Sequence, residues 1–278
     1  MLDASADNIK GGKMSDESTT GNHAARKHAL CSASSAERWL ECPGSVGLSM
    51  TVPEPPTSPY ALEGTEAHEL SEKILFQWVK DNYTLSDEFL QSLREGKEEM
   101  FDYVMQYVHA CVEESMAFDN TPTIRIEQRL TFNEDMKMFG TADFIATGMQ
   151  DGKATGVIVD LKYGKGKKVK TEGNPQLAYY AVALRSCSKK QLEQVRVRIV
   201  QPRISDASTS ITFSKDDLDA WGLKLTLGAE QALWMAGKAK TPVYKEGGWC
   251  WFCPAKQVCP EIARRLSENL ANQFPDDL

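Results

Sequence analysis

"MFGTADFIATGMQDGKATGVIVDLK", residues 138–162, holds two apolar segments on either side of a turn signal. Segments 138–147 and 155–162 are rich in β-branched and aromatic residues, which is typical of strands. Residues 150–153 between them contain an Asp-Gly pair, which favours the tight turn of a β-hairpin. We therefore predict that the two segments form neighbouring antiparallel strands of one sheet.

The segments around this hairpin predict a mixed sheet flanked by helices. Helical spacing of apolar residues predicts a short helix within 32–50 and longer helices over 63–80, 86–116, 175–185 and 214–238. Alternating apolar residues predict further strands over 123–132, 194–201 and 209–213. Residues 51–60, with four prolines, predict a loop. This order of elements indicates an α/β or α+β fold with a small central sheet.

The composition is that of an ordinary soluble globular protein, with 41% hydrophobic and 26% charged residues in 278. No apolar run of about 18 residues is present, so we expect no transmembrane helix. Residues 1–27 are polar and lack the apolar region of a secretory signal, which predicts a disordered leader before a single domain at 28–278. The odd number of cysteines, seven, indicates a reducing cytosol. The net charge of -7 argues against a generally basic nucleic-acid-binding surface but allows a local basic groove.

Two aspartates interrupt the apolar strands of the predicted hairpin. Asp143 lies inside the first strand and Asp160 near the end of the second, where a buried carboxylate is costly unless it is paired or binds a metal. Adjacent antiparallel strands can place them about 5 Å apart, and magnesium binds carboxylate oxygens at such sites. Lys162 follows Asp160 by two residues and shares its face of the strand. Alternatively, Asp160 and Lys162 form a surface salt bridge at a strand end, and Asp143 is a polar residue near a turn.

His68, Gln176 and Tyr180 carry further groups that fit such a site. His68 lies on the helix predicted over 63–80, one helical turn after Gly64, and neutral imidazole is a good ligand for manganese-like metals. Gln176 and Tyr180 lie on one face of a later helix and offer hydrogen bonds to a phosphate. Taken separately, the histidine is typical of a surface or core residue, and the other two of the edge of an amphipathic helix.

Taken together, these motifs resemble the RecB-type branch of the PD-(D/E)XK nucleases, to which lambda exonuclease belongs. The shared order is Gly64-x-x-x-His68, Gly140-x-x-Asp143, Asp160-x-Lys162 and Gln176-x-x-x-Tyr180. The resemblance covers roughly residues 30–262, and residues 34–45, SSAERWLECPGS, are similar to the start of a phage-encoded family. One departure is the acid of the third motif, which is aspartate here and glutamate in many relatives.

The resemblance implies a restriction-endonuclease-like core, an α/β fold with a central mixed sheet between helices. It also implies ligands for catalytic Mg²⁺ or Mn²⁺, namely His68, Asp143, Asp160 and the backbone carbonyl of Leu161. The remaining catalytic residues would be Lys162, Gln176 and Tyr180.

The activity implied is that of a metal-dependent DNA nuclease, most simply an exonuclease that hydrolyses phosphodiester bonds in linear DNA during phage recombination. An endonuclease or nickase is the alternative of the same fold, and a non-catalytic DNA-binding scaffold is the alternative outside this class. The partners implied are DNA and a phage single-strand annealing protein, in the cytoplasm of a bacterial host and away from membranes. A homo-oligomer, as in lambda exonuclease, would imply processive digestion.

Three cysteines near the C-terminus, Cys250, Cys253 and Cys259, indicate a metal or cluster site. Four thiolates are needed to complete a tetrahedral zinc site or a cubane cluster. Cys42 is the candidate fourth, with Cys31 as its rival, and the site would join the N- and C-terminal segments. This one-plus-three arrangement resembles the iron–sulfur cluster of AddB-type nucleases, which implies a 4Fe–4S cluster, with zinc as the alternative.

The segment after the second strand of the hairpin is strongly basic. Its lysines are Lys165, Lys167, Lys168 and Lys170. Such a run is typical of a solvated loop, but its position directly after Lys162 favours contact with DNA phosphates, independent of base sequence. Arg196, Arg198 and Arg203 are candidates to extend the same basic face.

Overall fold

A computed structural model describes residues 29–166, 168–204 and 208–273. A five-stranded mixed sheet lies at its centre, in the spatial order β1-β2-β3-β4-β5. The strands are β1 (Thr123–Asn133), β2 (Met138–Gln150), β3 (Lys153–Leu161), β4 (Gln194–Val200) and β5 (Ser208–Ser214). Strands β3 and β4 are parallel, and the other neighbouring pairs are antiparallel. The predicted leader, residues 1–27, lies outside the described residues.

The hairpin predicted from residues 138–162 is present as β2 and β3. Asp151 and Gly152 form its turn with positive φ angles of 50° and 72°, as a tight turn that matches the strand twist requires. The carboxylate of Asp119 accepts hydrogen bonds from both turn amides, at 3.1 and 3.2 Å. The turn therefore fixes the register, and the register decides which residues of the two strands face one another.

Eight α-helices surround the sheet in the described part of the chain. They are α1 (Ala36–Glu41), α2 (Ser45–Ser49), α3 (Pro59–Lys80), α4 (Asp87–Arg94), α5 (Glu98–Met116), α6 (Pro175–Cys187), α7 (Lys215–Gly237) and α8 (Pro260–Gln273). None of these described helices combines the length and the apolar character needed to span a lipid bilayer.

The helices cover both faces of the sheet. On one face, α1, α6 and α7 pack over a core that includes Ile158 of β3. On the other face, α3 and α5 pack over a core that includes Val157 and Val159 of the same strand. Successive residues of β3 thus enter opposite cores, as the two-residue period of a strand requires. The prediction of an α/β fold with a central mixed sheet flanked by helices is confirmed.

Three parts of the chain differ from the sequence prediction. The helix predicted over 86–116 is two helices, α4 and α5, because Gly96 between them adopts a φ of 75°. Helix α3 begins at Pro59, inside the predicted loop, because Ser58 caps it and proline is favoured in the first turn. Helix α8 lies after the helix predicted over 214–238, where the sequence predicted no further element.

Candidate active site

The centre of the site lies where β2 separates from β3. Backbone pairing between these strands ends at Phe144 opposite Val159. From there towards its N-terminal end, β2 is paired with β1 alone. One residue further along the same register, Asp143 lies opposite Asp160. The predicted facing of the two aspartates therefore coincides with the point at which the sheet opens.

Glu127 of β1 is a third acid at this point, and the sequence did not predict it. The β1–β2 register places it opposite Asp143, between two regular backbone pairs. Its φ is 49°, which is unusual for a non-glycine residue within a strand, and its side chain is only 7% exposed. Finding it requires the β1–β2 register, which a single sequence does not fix. The available signal was one acid inside the alternating strand predicted over 123–132.

Asp143 is held from the β3 side. Its Oδ2 atom accepts a hydrogen bond from the Leu161 N–H at 2.8 Å, while its Oδ1 atom lies 3.6 Å from Nδ1 of His68. The pKa of Asp143 is raised to about 7, and burial is the largest cause. The charge of His68 lowers this pKa, while the charges of Asp160 and Glu127 raise it further. The carboxylate thus lies among like charges that a bound cation would balance.

Helix α3 brings His68 to the acids. Its Nδ1 atom lies 3.6 Å from Oε1 of Glu127, the same distance as from Asp143. Burial lowers the pKa of His68, but the charge of Asp143 and the contact with Glu127 raise it to about 9. The ligand atoms of these three residues lie within 4.8 Å of one another, so the group could hold a metal ion.

Lys162 and Asp160 form an ion pair at the end of β3, with 2.8 Å between Nζ and Oδ2. Asp160 is buried, and its Oδ2 atom lies at hydrogen-bonding distance from this ammonium group. A buried carboxylate that already pairs with one cation is also suited to bind a metal ion. Burial lowers the pKa of Lys162, but the charges of Asp160 and Asp143 raise it overall. Lys162 is therefore an ammonium donor at neutral pH.

The first turns of α6 bring Gln176 and Tyr180 to the same place. Asn174 caps this helix by accepting a hydrogen bond from the Gln176 N–H at 2.9 Å. Burial and the charges of the two aspartates raise the pKa of Tyr180, while a hydrogen bond with the Gln176 side chain lowers it. The Tyr180 ring packs on Gly140, where an added Cβ would lie 3.0 Å from its Cε1 atom. Gly140, three residues before Asp143, therefore leaves room for the close approach of this tyrosine.

The structure thus brings the predicted site residues together around the end of β3. They are His68, Asp143, Asp160, Leu161, Lys162, Gln176 and Tyr180. Gly64, which the sequence grouped with His68, is not required by packing, since an added Cβ would meet no atom within 4 Å. It leaves open space one helical turn before the histidine.

The basic loop follows β3 directly. Its exposed lysines are Lys165, Lys168 and Lys170. Lys167 lies outside the described residues. The amide of Val169 donates a hydrogen bond to Oε1 of Gln201 at 2.7 Å, which anchors the loop to the end of β4. The loop therefore presents ammonium groups to solvent within a few residues of the predicted catalytic lysine.

The three arginines expected to extend this basic face are engaged elsewhere. Arg196 and Arg198 pair with glutamates of α5, at 2.6 and 2.9 Å. Arg203 pairs with Glu63 of α3 at 2.9 Å and lies over the ring of Tyr163. Because each guanidinium is matched by a carboxylate, these residues connect helices to the sheet rather than forming an open basic surface.

The four cysteines predicted to bind a cluster line one cavity between the segment after α1 and the segment before α8. They are Cys42, Cys250, Cys253 and Cys259. Cys31, the rival fourth residue, is buried in the core under α6. The Lys245 N–H donates to Sγ of Cys42 at 3.3 Å, and the Gly44 N–H donates to the carbonyl of Val243 at 3.0 Å. The N- and C-terminal segments are therefore in direct contact at this cavity.

The fold and the site define an α/β protein with a His/Glu/Asp group, suited to a metal ion, where its central sheet opens. The chain belongs to the family described as Protein of unknown function (DUF2800), whose model matches residues 28–276. The match spans the sheet, both helical layers and all four cavity cysteines.

Two solved structures are similar to this chain at low identity. The protein SSO0001 has 14% identity and a TM-score of 0.38, and the alignment covers 85% of this chain and 88% of that one. A protein of Eubacterium rectale named "Putative exonuclease" has 15% identity and a TM-score of 0.41, with coverage of 91% and 94%.

Proposed function

We propose that the protein is a metal-dependent deoxyribonuclease, and that it acts as an exonuclease on linear DNA. The observation that carries the proposal is the meeting of Asp143, Asp160 and Lys162 where β2 and β3 separate. Two carboxylates and an ammonium group at one point of the sheet match the needs of phosphodiester hydrolysis, which must place a water in line and balance charge on the phosphate.

The metal-binding residues of the proposal are His68, Asp143, Asp160 and the carbonyl of Leu161. The donor set suits Mg²⁺ or Mn²⁺, because both ions accept carboxylate and carbonyl oxygens and manganese also accepts an imidazole nitrogen. A divalent ion bound there would supply activation of water and neutralisation of the leaving oxygen. Asp143 is oriented for this role by the Leu161 N–H.

Lys162 is the donor to the reacting groups. Its ammonium lies 2.8 Å from Asp160 and remains charged at neutral pH, so it can hold the attacking water or a phosphate oxygen but does not act as a base. Gln176 and Tyr180 form a second hydrogen-bonding group on the α6 side, and the neutral Tyr180 hydroxyl donates to the bound strand.

The basic loop supplies the contact with the DNA backbone. Its residues in the proposal are Lys165, Lys167, Lys168 and Lys170. Ammonium groups bind phosphates without reading bases, so the nuclease acts on DNA independent of sequence and its binding weakens as salt increases.

Digestion of end-labelled DNA tests the activity and its mode. Linear duplex, nicked, closed circular and single-stranded DNA are incubated with the full-length protein and Mg²⁺, Mn²⁺ or EDTA. An exonuclease releases mononucleotides or short products from linear DNA and leaves closed circles intact. Cleavage of closed circles would instead indicate an endonuclease or nickase, and binding without cleavage in either metal would indicate a non-catalytic scaffold.

We further propose that the four cavity cysteines bind a 4Fe–4S cluster that joins the two ends of the chain. The four cysteines line one cavity. A zinc ribbon usually takes its cysteines as two close pairs, whereas these lie as one and three along the chain, which supports the cluster over zinc. Burial raises the pKa of Cys42, so bound iron would have to displace its proton.

Metal analysis of anaerobically purified protein tests the cluster. We expect about four iron atoms per chain, a brown colour and loss of both in Cys42→Ser but not in Cys187→Ser, an exposed cysteine away from the cavity. Full occupancy by zinc, with no iron, would contradict the cluster.

A further inference from the structure

Glu127 has a backbone conformation that its strand does not explain. It lies in the middle of β1 with a φ of 49°, while its neighbours pair regularly with β2. Left-handed backbone at a non-glycine residue is unfavourable and persists where the surroundings or a function require it. Its side chain is almost fully buried although it faces another acid, Asp143. Both features are accounted for if the carboxylate is directed at a bound cation.

The ligand atoms around Glu127 converge on one point. Oε1 of Glu127 and Oδ1 of Asp143 each lie 3.6 Å from Nδ1 of His68. Around an octahedral ion with bonds of about 2.0–2.2 Å, neighbouring ligand atoms lie about 3 Å apart, so small side-chain movements complete the geometry. The other oxygen of Asp143 is held by the Leu161 N–H, which directs Oδ1 towards the histidine.

Asp160 is engaged on the other side of Asp143. Its Oδ2 atom contacts Nζ of Lys162, and it is not a member of the group whose ligand atoms lie within 4.8 Å. Three ligands from α3, β1 and β2 therefore come together in the described chain without it. These three can therefore hold an ion in the DNA-free protein while Asp160 stays paired with Lys162.

We propose that Glu127 is a direct metal ligand and that, with His68 and Asp143, it holds a Mn²⁺ ion before DNA binds. This proposal depends on the proposed nuclease function in one respect only, which is that the ion lies at the same site. Mg²⁺ is usually held by one or two carboxylates together with substrate phosphates and keeps several waters. An imidazole with two carboxylates suits a transition metal such as manganese, and it needs no substrate to complete the protein ligands.

Manganese binding to the DNA-free, full-length protein tests the proposal. Metal-stripped protein is titrated with MnCl₂, and free Mn²⁺ is measured by electron paramagnetic resonance beside calorimetry. We expect one site in the wild type and binding at least about tenfold weaker in Glu127→Gln. Glu127→Gly is a second variant, because glycine adopts the left-handed backbone freely and keeps the strand folded.

Glu114→Gln is the matched control. Glu114 is also a mostly buried acid, but it pairs with Arg196 and Arg198 away from the site. It should bind Mn²⁺ as the wild type does. Wild-type affinity in both Glu127 variants would overturn the proposal, and so would a wild type that binds no Mn²⁺ until DNA is added.

The nuclease function and the ligand role can fail separately. If the wild type binds Mn²⁺ through Glu127 but cleaves no DNA form, the metal site stands and the nuclease function fails. If cleavage requires Asp160 and Lys162 while the Glu127 variants bind Mn²⁺ normally, the nuclease function stands and the role of Glu127 fails.

Discussion

Lys162 balances the charge of Asp160 and, in the proposed mechanism, also donates to the reacting groups. Its ammonium contacts a buried carboxylate oxygen of Asp160, and the nearby charge of Asp143 also helps to keep it protonated. Removing it would leave Asp160 without its cation and the phosphate without a donor. Because a metal ion can replace the lysine as partner of Asp160, the two effects can be separated by measuring metal binding and cleavage in the same variant.

We therefore predict that Lys162→Ala lowers the rate of DNA cleavage by about 100-fold, as loss of one positioned donor does, while metal affinity stays the same or rises. Single-turnover cleavage and calorimetric titration measure the two quantities. Lys153→Ala, at an exposed lysine at the opposite end of β3, is the control and should retain the wild-type rate. A Lys162→Ala protein that cleaves at the wild-type rate would refute the catalytic role.

At the scale of elements, the β2–β3 hairpin determines where Asp143 and Asp160 lie relative to one another. Its turn is centred on Asp151 and Gly152, so counting outward pairs Asp143 with Asp160. The sequence predicted this facing because alternation and turn chemistry are local signals. It did not predict the role of Glu127, because an irregular register near Asn133 determines which residues of β1 and β2 lie opposite one another. The break between α4 and α5 was missed because apolar spacing continues across it.

The second prediction concerns Gly64 in helix α3. Gly64 lies inside this helix and is not required by contacts, since an added Cβ would meet no atom within 4 Å. Gly64→Ala should therefore stabilise the protein by about 1 kcal/mol through helix propensity, which corresponds to a rise in Tm of roughly 2–4 °C.

If the space beside Gly64 receives DNA, the same Gly64→Ala protein should bind DNA more weakly while melting at a higher temperature. Fluorescence anisotropy with labelled linear DNA and thermal unfolding measure the two effects. Gly237→Ala, near the C-terminal end of α7 and also without neighbours within 4 Å, is the control for helix propensity alone. A higher Tm with unchanged DNA affinity would mean that the open space is not part of the DNA site.

At the scale of the whole molecule, proton and metal binding are linked to stability. The folded-state pKa values of Asp143, about 7, and His68, about 9, lie above the ordinary values of 3.8 and 6.5. Folding of the metal-free protein therefore takes up protons. The stability these groups contribute is present at low pH and is lost as pH rises through these folded-state values.

Added metal should reverse that loss. Because Mn²⁺ competes with the protons on Asp143 and His68, we predict that its stabilising effect on Tm grows as pH is raised from about 6 to 9. Differential scanning fluorimetry with and without metal at each pH measures it. Asp143→Asn, which removes a proposed ligand, should reduce the metal effect at every pH, and a wild-type metal effect that shrinks with rising pH would contradict the assignment of the site.

The cysteine cavity shows what sequence can and cannot supply at this scale. Clustering in the chain indicated Cys250, Cys253 and Cys259, but spacing alone could not choose between Cys31 and Cys42 as the fourth residue. The choice depends on how the N-terminal segment packs: Cys31 lies in the core under α6, whereas Cys42 faces the other three. Long-range packing of this kind is set by the whole core and not by local pattern.

The most direct test of the account is the digestion of end-labelled linear duplex DNA by the wild type and by Asp160→Asn. With Mg²⁺ or Mn²⁺, the account predicts cleavage by the wild type, none in EDTA, and a rate reduced roughly 100-fold or more in the variant, since a metal-held transition state is worth several kcal/mol. Circular dichroism confirms that the variant is folded. Wild-type cleavage by folded Asp160→Asn, or cleavage that persists in EDTA, would contradict the proposed metal-dependent site.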